Sequence, residues 1–265
     1  MKTKYETLKL ERIDDHLLLV TLNRPQAANA MNTQMGLDLR ALWTGLYVDQ
    51  EDLRCIVVTG AGGARAFCAG GDLKERNEMT DAQWQRQHAI YEQAVVAMMD
   101  CPVPVIAAVN GAAYGGGTEL VLATDFAYGA RHARFALTEV TLGIMPGAMG
   151  TQNLPRAVGV RRAKEIIMTG RPFDAEQAVA WGVLNKICDD DRLMDETLET
   201  ARAICANAPI SVRQAKKSMT VATQIDLKNG YAFEIEAYNR MVPTEDRLEG
   251  VRAFNEKRKP RFEGR

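Results

Sequence analysis

A chain of 265 residues with 33 Lys and Arg against 34 Asp and Glu, a net charge of −1, has no global attraction for nucleic acid or an acidic membrane surface. At 46% hydrophobic and 25% charged it has the makings of one large or two modest globular domains, and no apolar run approaches the roughly 18 residues of a transmembrane helix. No secretory leader opens it, and its cysteines, Cys55, Cys68, Cys101, Cys188 and Cys205, are odd in number without CxxC spacing, which predicts reduced thiols in a cytoplasmic protein.

In chain order, residues 7–12 and 17–22 read as two strands joined by the polar turn Ile13-Asp14-Asp15-His16. The unbroken LLLVTL run marks the second as buried. Asn32 or Thr33 caps a helix in which Met35, Leu39, Leu42 and Leu46 recur at helical spacing to about residue 48. A third strand, 55–59, ends at Gly60-Ala61-Gly62-Gly63. A helix over 81–100 presents Trp84, Tyr91, Val95, Met98 and Met99 on one face, as core or as the wall of a pocket. It leads to an apolar run at 103–109, bounded by prolines and by Asn110-Gly111, which reads as a buried strand. Three glycines, Gly115-Gly116-Gly117, separate that strand from a helical pattern at 118–123.

A strand that stops at glycines and resumes as a helix leaves backbone N–H groups free, with the positive end of the helix dipole behind them. Glu119 falls in the first turn of that helix, and Glu139 precedes the turn Gly143-Ile144-Met145-Pro146-Gly147. Two carboxylates beside an anion-binding nest suit acid–base chemistry next to a developing oxyanion. The plainer alternative is that Glu119 complements the helix dipole and Glu139 is a solvated loop residue.

Past residue 150 helical patterns dominate, at 160–169, 175–182, 191–206, 211–222, 227–241 and 244–257, with only 183–187 strand-like. The earlier alternation of strand and helix predicts an α/β protein with a largely parallel sheet. No linker divides the chain, and no repeat of solenoid length is visible. Other chemistries fit poorly. The glycine-rich stretch TGAGGARAFCAGGDLKE (59–75) fails the dinucleotide pattern at Arg65. The two serines, Ser211 and Ser218, lie outside any G-x-S-x-G elbow. His16, His88 and His132 lack metal-ligand spacing and read as surface or cap residues, and Cys68 has no histidine partner and reads as a small buried hydrophobe.

Taken together, Leu22-Asn23-Arg24-Pro25…Ala28-Asn29-Ala30, Ala66-Phe67-Cys68-Ala69-Gly70-Gly71-Asp72-Leu73-Lys74, Asn110-Gly111…Gly115-Gly116-Gly117-Thr118-Glu119-Leu120, Phe135…Glu139…Leu142-Gly143…Pro146-Gly147…Gly150-Thr151-Gln152 and Phe254…Glu256-Lys257-Arg258-Lys259-Pro260 resemble the enoyl-CoA hydratase/isomerase (crotonase) family. The resemblance spans nearly the whole chain, with its motifs in order. It implies an α/β, crotonase-like spiral of ββα units with perpendicular sheets. Residues 1–205 would be the core with the acyl-CoA site, and 206–265 a helical region that packs trimers, often stacked as hexamers. It implies an oxyanion hole made by the N–H groups of Gly71 and Gly116. Glu119 would align or activate water for C3, and Glu139 would exchange the proton at C2. Arg24, Ala27, Ala28, Ala69, Gly70, Asp72, Leu73 and Lys74 would line the path of coenzyme A, with Phe254 and Lys257 approaching its nucleotide across a subunit boundary.

The implied reaction is reversible hydration of a trans-2-enoyl-CoA to a 3-hydroxyacyl-CoA, with no metal and no cofactor beyond the coenzyme A of the substrate. An enoyl-CoA isomerase, a specialised acyl-CoA dehydratase, or a non-catalytic acyl-CoA- or RNA-binding member are the alternatives. Retention of both glutamates favours hydration, and the charge balance disfavours RNA. Three positions depart from the family pattern: Thr118, Thr138, expected to alter hydrogen bonding at Glu139, and Met149, expected to narrow the acyl end. The basic tail at 257–265 reads as a phosphate contact or as solvated charge.

Overall fold

The computed structural model describes residues 4–265. It opens with a hairpin of β1 (Leu8–Asp14) and β2 (Leu17–Leu22), whose antiparallel register sets Leu8 against Leu22. The Asn32 side chain accepts from the Met35 N–H at 3.0 Å and so starts α1 (Thr33–Val48). Met35, Leu39, Leu42, Trp43 and Leu46 of α1 are buried. Asp38, also buried, accepts the backbone N–H groups of Glu6 and Thr7, which ties the entry of β1 to this helix.

Three strand–strand–helix units follow. In the first, β3 (Cys55–Gly60) and β4 (Ala66–Cys68) lead to a short α2 (Leu73–Arg76) and to α3 (Asp81–Met99), which lies against α1. In the second, β5 (Val105–Val109) and β6 (Ala112–Tyr114) lead to α4 (Gly116–Ala123). In the third, β7 (Phe126–Ala130) and β8 (Arg134–Ala136) lead through a 3₁₀ turn, Glu139–Leu142, to α5 (Gly150–Val158) and α6 (Val160–Thr169). After them come β9 (Phe173–Asp174), α7 (Ala175–Trp181), β10 (Lys186–Cys188) and α8 (Leu193–Cys205). The first strand of each unit enters a six-stranded sheet of order β1-β2-β3-β5-β7-β10, and the second a four-stranded sheet of order β4-β6-β8-β9. This is the spiral of ββα units that the resemblance implied.

One face of the larger sheet packs on α8 through Leu17, Cys55, Val57, Ile106, Leu193 and Ala201. The main core fills the space between the two sheets and α1, α3 and α4. Beyond α8, the helices α9 (Pro209–Ala222), α10 (Leu227–Asn239) and α11 (Glu245–Asn255) bury few side chains, among them Ala237, Asp246, Glu249 and Ala253. Glu249 gathers the basic tail: it accepts from Arg258, Arg252 and the Arg261 N–H. Arg54 holds the Phe262 carbonyl at 2.7 Å.

The structure adds elements that the sequence reading left out: β4, β6, β7, β8, β9 and α5. Strands of two or three residues show no alternation to read, and β7, FAYGA, mixes small and large residues. The three units repeat in space without repeating in sequence, because their connections differ in length. Residue 103 lies before β5, which starts at Val105, and α4 starts at Gly116 because Gly115, at φ +51°, makes the turn.

At Gly117, α4 runs against β4 so closely that a Cβ would stand 2.1 Å from the Cys68 carbonyl oxygen, backbone that cannot step aside. Gly45 in α1 has no atom within 4 Å of its Cβ position. Opposite outcomes are expected for the same substitution. Gly117→Ala should destabilise by at least the ~1–3 kcal/mol typical of overpacking, whereas Gly45→Ala should stabilise by up to about 1 kcal/mol from helix propensity. Denaturant melts of the two variants against the parent check both signs.

Candidate active site

The connection after β4 and the connection after β6 meet. Gly70, at φ +89°, runs so close that a Cβ there would lie 2.7 Å from the Tyr114 carbonyl oxygen and 3.4 Å from the Gly116 nitrogen. A short parallel bridge fixes the first of these turns: the Met31 N–H donates to Gly70 O at 2.7 Å, and the Asp72 N–H to Met31 O at 2.8 Å. That pattern uses the groups on either side of Gly71 and leaves the Gly71 N–H without an acceptor among the described residues. Gly116 opens α4, so its N–H has no intrahelical acceptor either. Two N–H donors on adjoining turns, backed by a helix N-terminus, form a nest for a developing negative charge.

Both predicted carboxylates converge on this nest. A Cβ on Gly115 would lie 3.0 Å from Glu139 Oε1, and one on Gly116 would lie 3.9 Å from Glu119 Oε2. Glu119 Oε1 accepts the N–H groups of Ala148 at 2.8 Å and Gly150 at 2.9 Å, so the start of α5 holds the carboxyl in place. Glu139 Oε2 is buried and accepts no hydrogen bond from the described residues. Both glutamates are buried, Glu119 at 4% and Glu139 at 9% exposure, which overturns the plainer reading of them as surface charge. Burial pushes Glu119 up to about 7, with the Glu139 charge adding to it and the Gly150 and Ala148 N–H groups opposing it. Burial also raises Glu139, against its own backbone N–H and the positive charge of Arg76.

The cavity they share, about 430 Å³, is lined by Ala69, Gly70, Gly71, Leu73, Gly116, Glu119 and Glu139 from the sequence prediction. Arg24, Ala27, Ala28, Asp72 and Lys74 stand outside this lining. Arg24 and Asp72 are paired at 3.0 Å, and Asp72 caps α2 through the Lys74 and Glu75 N–H groups, so these two hold the Gly70–Gly71 turn from behind. Burial works against the Asp72 charge, but the Arg24 guanidinium and the capping N–H groups hold its carboxyl below the usual range. The Ala69 N–H donates to Ala28 O at 3.1 Å, which docks the Pro25–Ala27 turn on the same loop. Lys74 is exposed, and Phe254 and Lys257 are exposed outside the lining.

The sequence reading missed Arg76 and His88, which both line the cavity. Arg76 reads in sequence as one more charge in a polar turn. His88 is a half-buried wall residue whose Nδ1 pairs with Glu92 at 2.7 Å and whose Nε2 would lie 2.2 Å from a Cβ on Gly147. It corrects the reading of all three histidines as surface or cap residues. Trp84 and Tyr91 line the cavity too, whereas Val95 and Met98 of the same face are core. Cys68 is buried, and burial pushes its thiol up to about 12, as befits a packing residue.

The three departures resolve differently. Thr118 is fully buried, and its hydroxyl lies 2.6 Å from Ala113 O and 2.9 Å from Ala136 O, bridging β6 and β8. The Thr138 side chain makes no bond to Glu139; its carbonyl accepts the Thr141 hydroxyl at 2.7 Å. Met149 does not narrow the cavity: its side chain packs on the core, and its backbone sits at φ +71°, the left-handed region that favours glycine.

The family profile described as enoyl-CoA hydratase/isomerase matches residues 12–265. A solved enoyl-CoA hydratase from Bacillus anthracis superposes with a TM-score of 0.95 at 40% identity, over 98% of this chain and 100% of that one. YngF of Bacillus subtilis is 42% identical over 251 residues, 95% of this chain and 96% of the relative. The short-chain-enoyl-CoA hydratase of Clostridium acetobutylicum is 37% identical over 241 residues, 91% of this chain and 92% of that one.

Glu119 also makes stability depend on pH. Its ordinary value is 4.5 and the fold raises it to about 7. The folded chain therefore keeps a proton that the unfolded chain releases. No penalty exists below pH 4.5; it grows as pH rises and is complete above about 7, at roughly 3 kcal/mol from 1.36 kcal/mol per unit. Glu119→Gln cannot ionise, so its melting temperature should gain on the wild type between pH 5 and pH 8. A pH-independent difference in paired thermal melts would count against the shift.

Proposed function

The chain belongs to the enoyl-CoA hydratase/isomerase family, and we propose that within it the chain is a hydratase, adding water reversibly across a trans-2-enoyl-CoA to give the 3-hydroxyacyl-CoA. The observation that carries this reading is the convergence of two buried carboxylates on two uncommitted backbone N–H groups.

The thioester oxygen accepts from the Gly71 and Gly116 N–H groups. Each such donor is typically worth about 2.7–4 kcal/mol in the transition state. Drawing charge onto that oxygen makes C3 electrophilic and stabilises the enolate at C2, so both bond-forming events use one hole. Glu119, fixed through Oε1, turns Oε2 to the attacking water, and Glu139 serves C2. The C3–OH bond forms from the water oxygen, one proton passes from the carboxyl pair to C2, and the water's remaining proton returns to the pair. The pair ends as it began, carrying one proton. Its raised affinities keep that state populated near neutrality, and it titrates as a unit. No cofactor enters, since coenzyme A arrives with the substrate.

Coenzyme A enters past Ala69 and Leu73, with Lys74 at the mouth. The nucleotide end reaches Phe254 and Lys257 across a subunit boundary. Exposed Leu227, Tyr231 and Phe254 on α10 and α11, at 89%, 60% and 84%, support burial of this region between subunits as a trimer or a dimer of trimers. Five free thiols suit a reducing compartment such as the cytoplasm.

Glu119→Gln and Glu139→Gln should each slow hydration of crotonyl-CoA by about 10²–10⁴-fold, and the double variant by much less than the product. Loss of the enoyl-thioester absorbance measures this, and Glu139→Gln should also stop exchange of the C2 proton with deuterated solvent. Near-normal hydration by either folded variant rejects the assignment, and a double-bond shift without water uptake identifies an isomerase. For the assembly, sedimentation at micromolar concentration should give a trimer or hexamer. Leu227→Asp should dissociate it and raise KM for the CoA thioester; a wild-type monomer rules the shared nucleotide site out.

A further inference from the structure

Among the described residues lining the cavity, Arg76 is the one Arg or Lys, and its placement is built rather than incidental. Its Nε–H donates to Gln87 Oε1 at 2.8 Å. Gln87, itself buried, donates onward to Glu75 Oε2 and Thr33 Oγ1, each at 2.8 Å, and the Thr33 N–H closes the network on Glu75 Oε2. The guanidinium lies over the Trp84 ring at 4.4 Å and beside the Tyr91 ring at 5.5 Å. Stacking of this kind fixes the plane of a guanidinium and leaves its edge N–H groups free to donate. Those of Arg76 make no hydrogen bond and no ion pair with the described residues, and Nη1 would lie 3.0 Å from a Cβ on Gly71. A partly buried, oriented fork therefore faces the cavity beside the oxyanion turn, within a few carbon–carbon bonds of where the thioester carbonyl is held.

We propose that Arg76 is a carboxylate-binding subsite, so that the preferred substrate is a CoA thioester whose short acyl group carries a second carboxylate, at the end of a four- or five-carbon chain. The inference rests on the hydratase reading for the chemistry, but the subsite itself is a binding property. Two features of the cavity support it. A plain hydrocarbon tail leaves the free edge of Arg76 unpaired, which costs desolvation without return. A carboxylated tail without Arg76 would meet the charge of the Glu119–Glu139 pair, so the cation is what makes such a tail admissible. The planar fork also matches a carboxylate with two parallel hydrogen bonds, a geometry lysine does not offer.

The test compares chains of equal length. Calorimetry of the wild-type protein with the inert thioesters glutaryl-CoA and pentanoyl-CoA should show the first bound about tenfold to a hundredfold tighter, the range expected for a hydrogen bond to a charged group. Arg76→Met should erase or invert that ratio, and Arg76→Lys should recover only part of it. In turnover, the ratio of kcat/KM for glutaconyl-CoA over trans-2-pentenoyl-CoA should exceed one and fall with the same variants. If Arg76 only tuned the carboxyl pair, both inert thioesters would weaken together, which overturns the proposal. So does wild-type binding of glutaryl-CoA no tighter than pentanoyl-CoA, a comparison that needs no variant to fold. Selective glutaryl-CoA binding without hydration of either enoyl thioester would leave the subsite standing and reject the hydratase reading.

Discussion

Two backbone N–H groups must end in a cavity and bond to nothing else in the chain; most of the architecture serves that constraint. A buried N–H normally finds a carbonyl, in a ladder or in a helix. Here Gly71 escapes pairing because the bridge to Met31 uses its neighbours, and Gly116 escapes because it begins a helix. The two turns approach so closely that side chains are excluded at Gly70 and at Gly117. The spiral of ββα units brings them together: β4 and β6 are adjacent parallel strands of the smaller sheet, so the turns that leave them emerge side by side.

A dry cavity lined by carboxylates is electrostatically expensive, and the surrounding structure determines how the expense is distributed. Glu119 is held by two N–H groups at the start of α5, and Glu139 sits on a 3₁₀ turn where its Oε2 has no partner in the chain. Neither arrangement cancels burial, so both groups favour the protonated form more than a free glutamate does. That is a loss for the fold above neutrality and a gain for chemistry that needs one acid and one base within reach of the same substrate.

Behind the cavity lies a shell of polar side chains that bond to one another instead of to a ligand. Arg24 with Asp72, Asn29 with the carbonyls of Ala61 and Ala66, and Gln87 with Glu75 and Thr33 fix the loops that carry the glycines. Motif residues in such a shell look like ligand contacts in sequence, because both roles call for a charged or amide group near the glycine turn. Arg24 and Asp72 illustrate this: their charges face each other, with side chains only 17% and 13% exposed.

The sequence by itself determined the larger strands and helices, the glycine turns, and the two glutamates, since each leaves a local signal: an apolar run, a cap, a broken period, or an acid at a helix start. Asn32 caps α1 as its position suggested, and the three-glycine turn opens α4. The tertiary structure decided the rest. The strands of the smaller sheet are too short to show a period and exist because they pair across units far apart in the chain. Arg76, His88 and Met149 show the same limit at the level of single residues. One looked like surface charge, one like a surface histidine, and one like a plug in the cavity. Their roles depend on which way α2, α3 and the turn before α5 face, and neighbours distant in sequence set that direction.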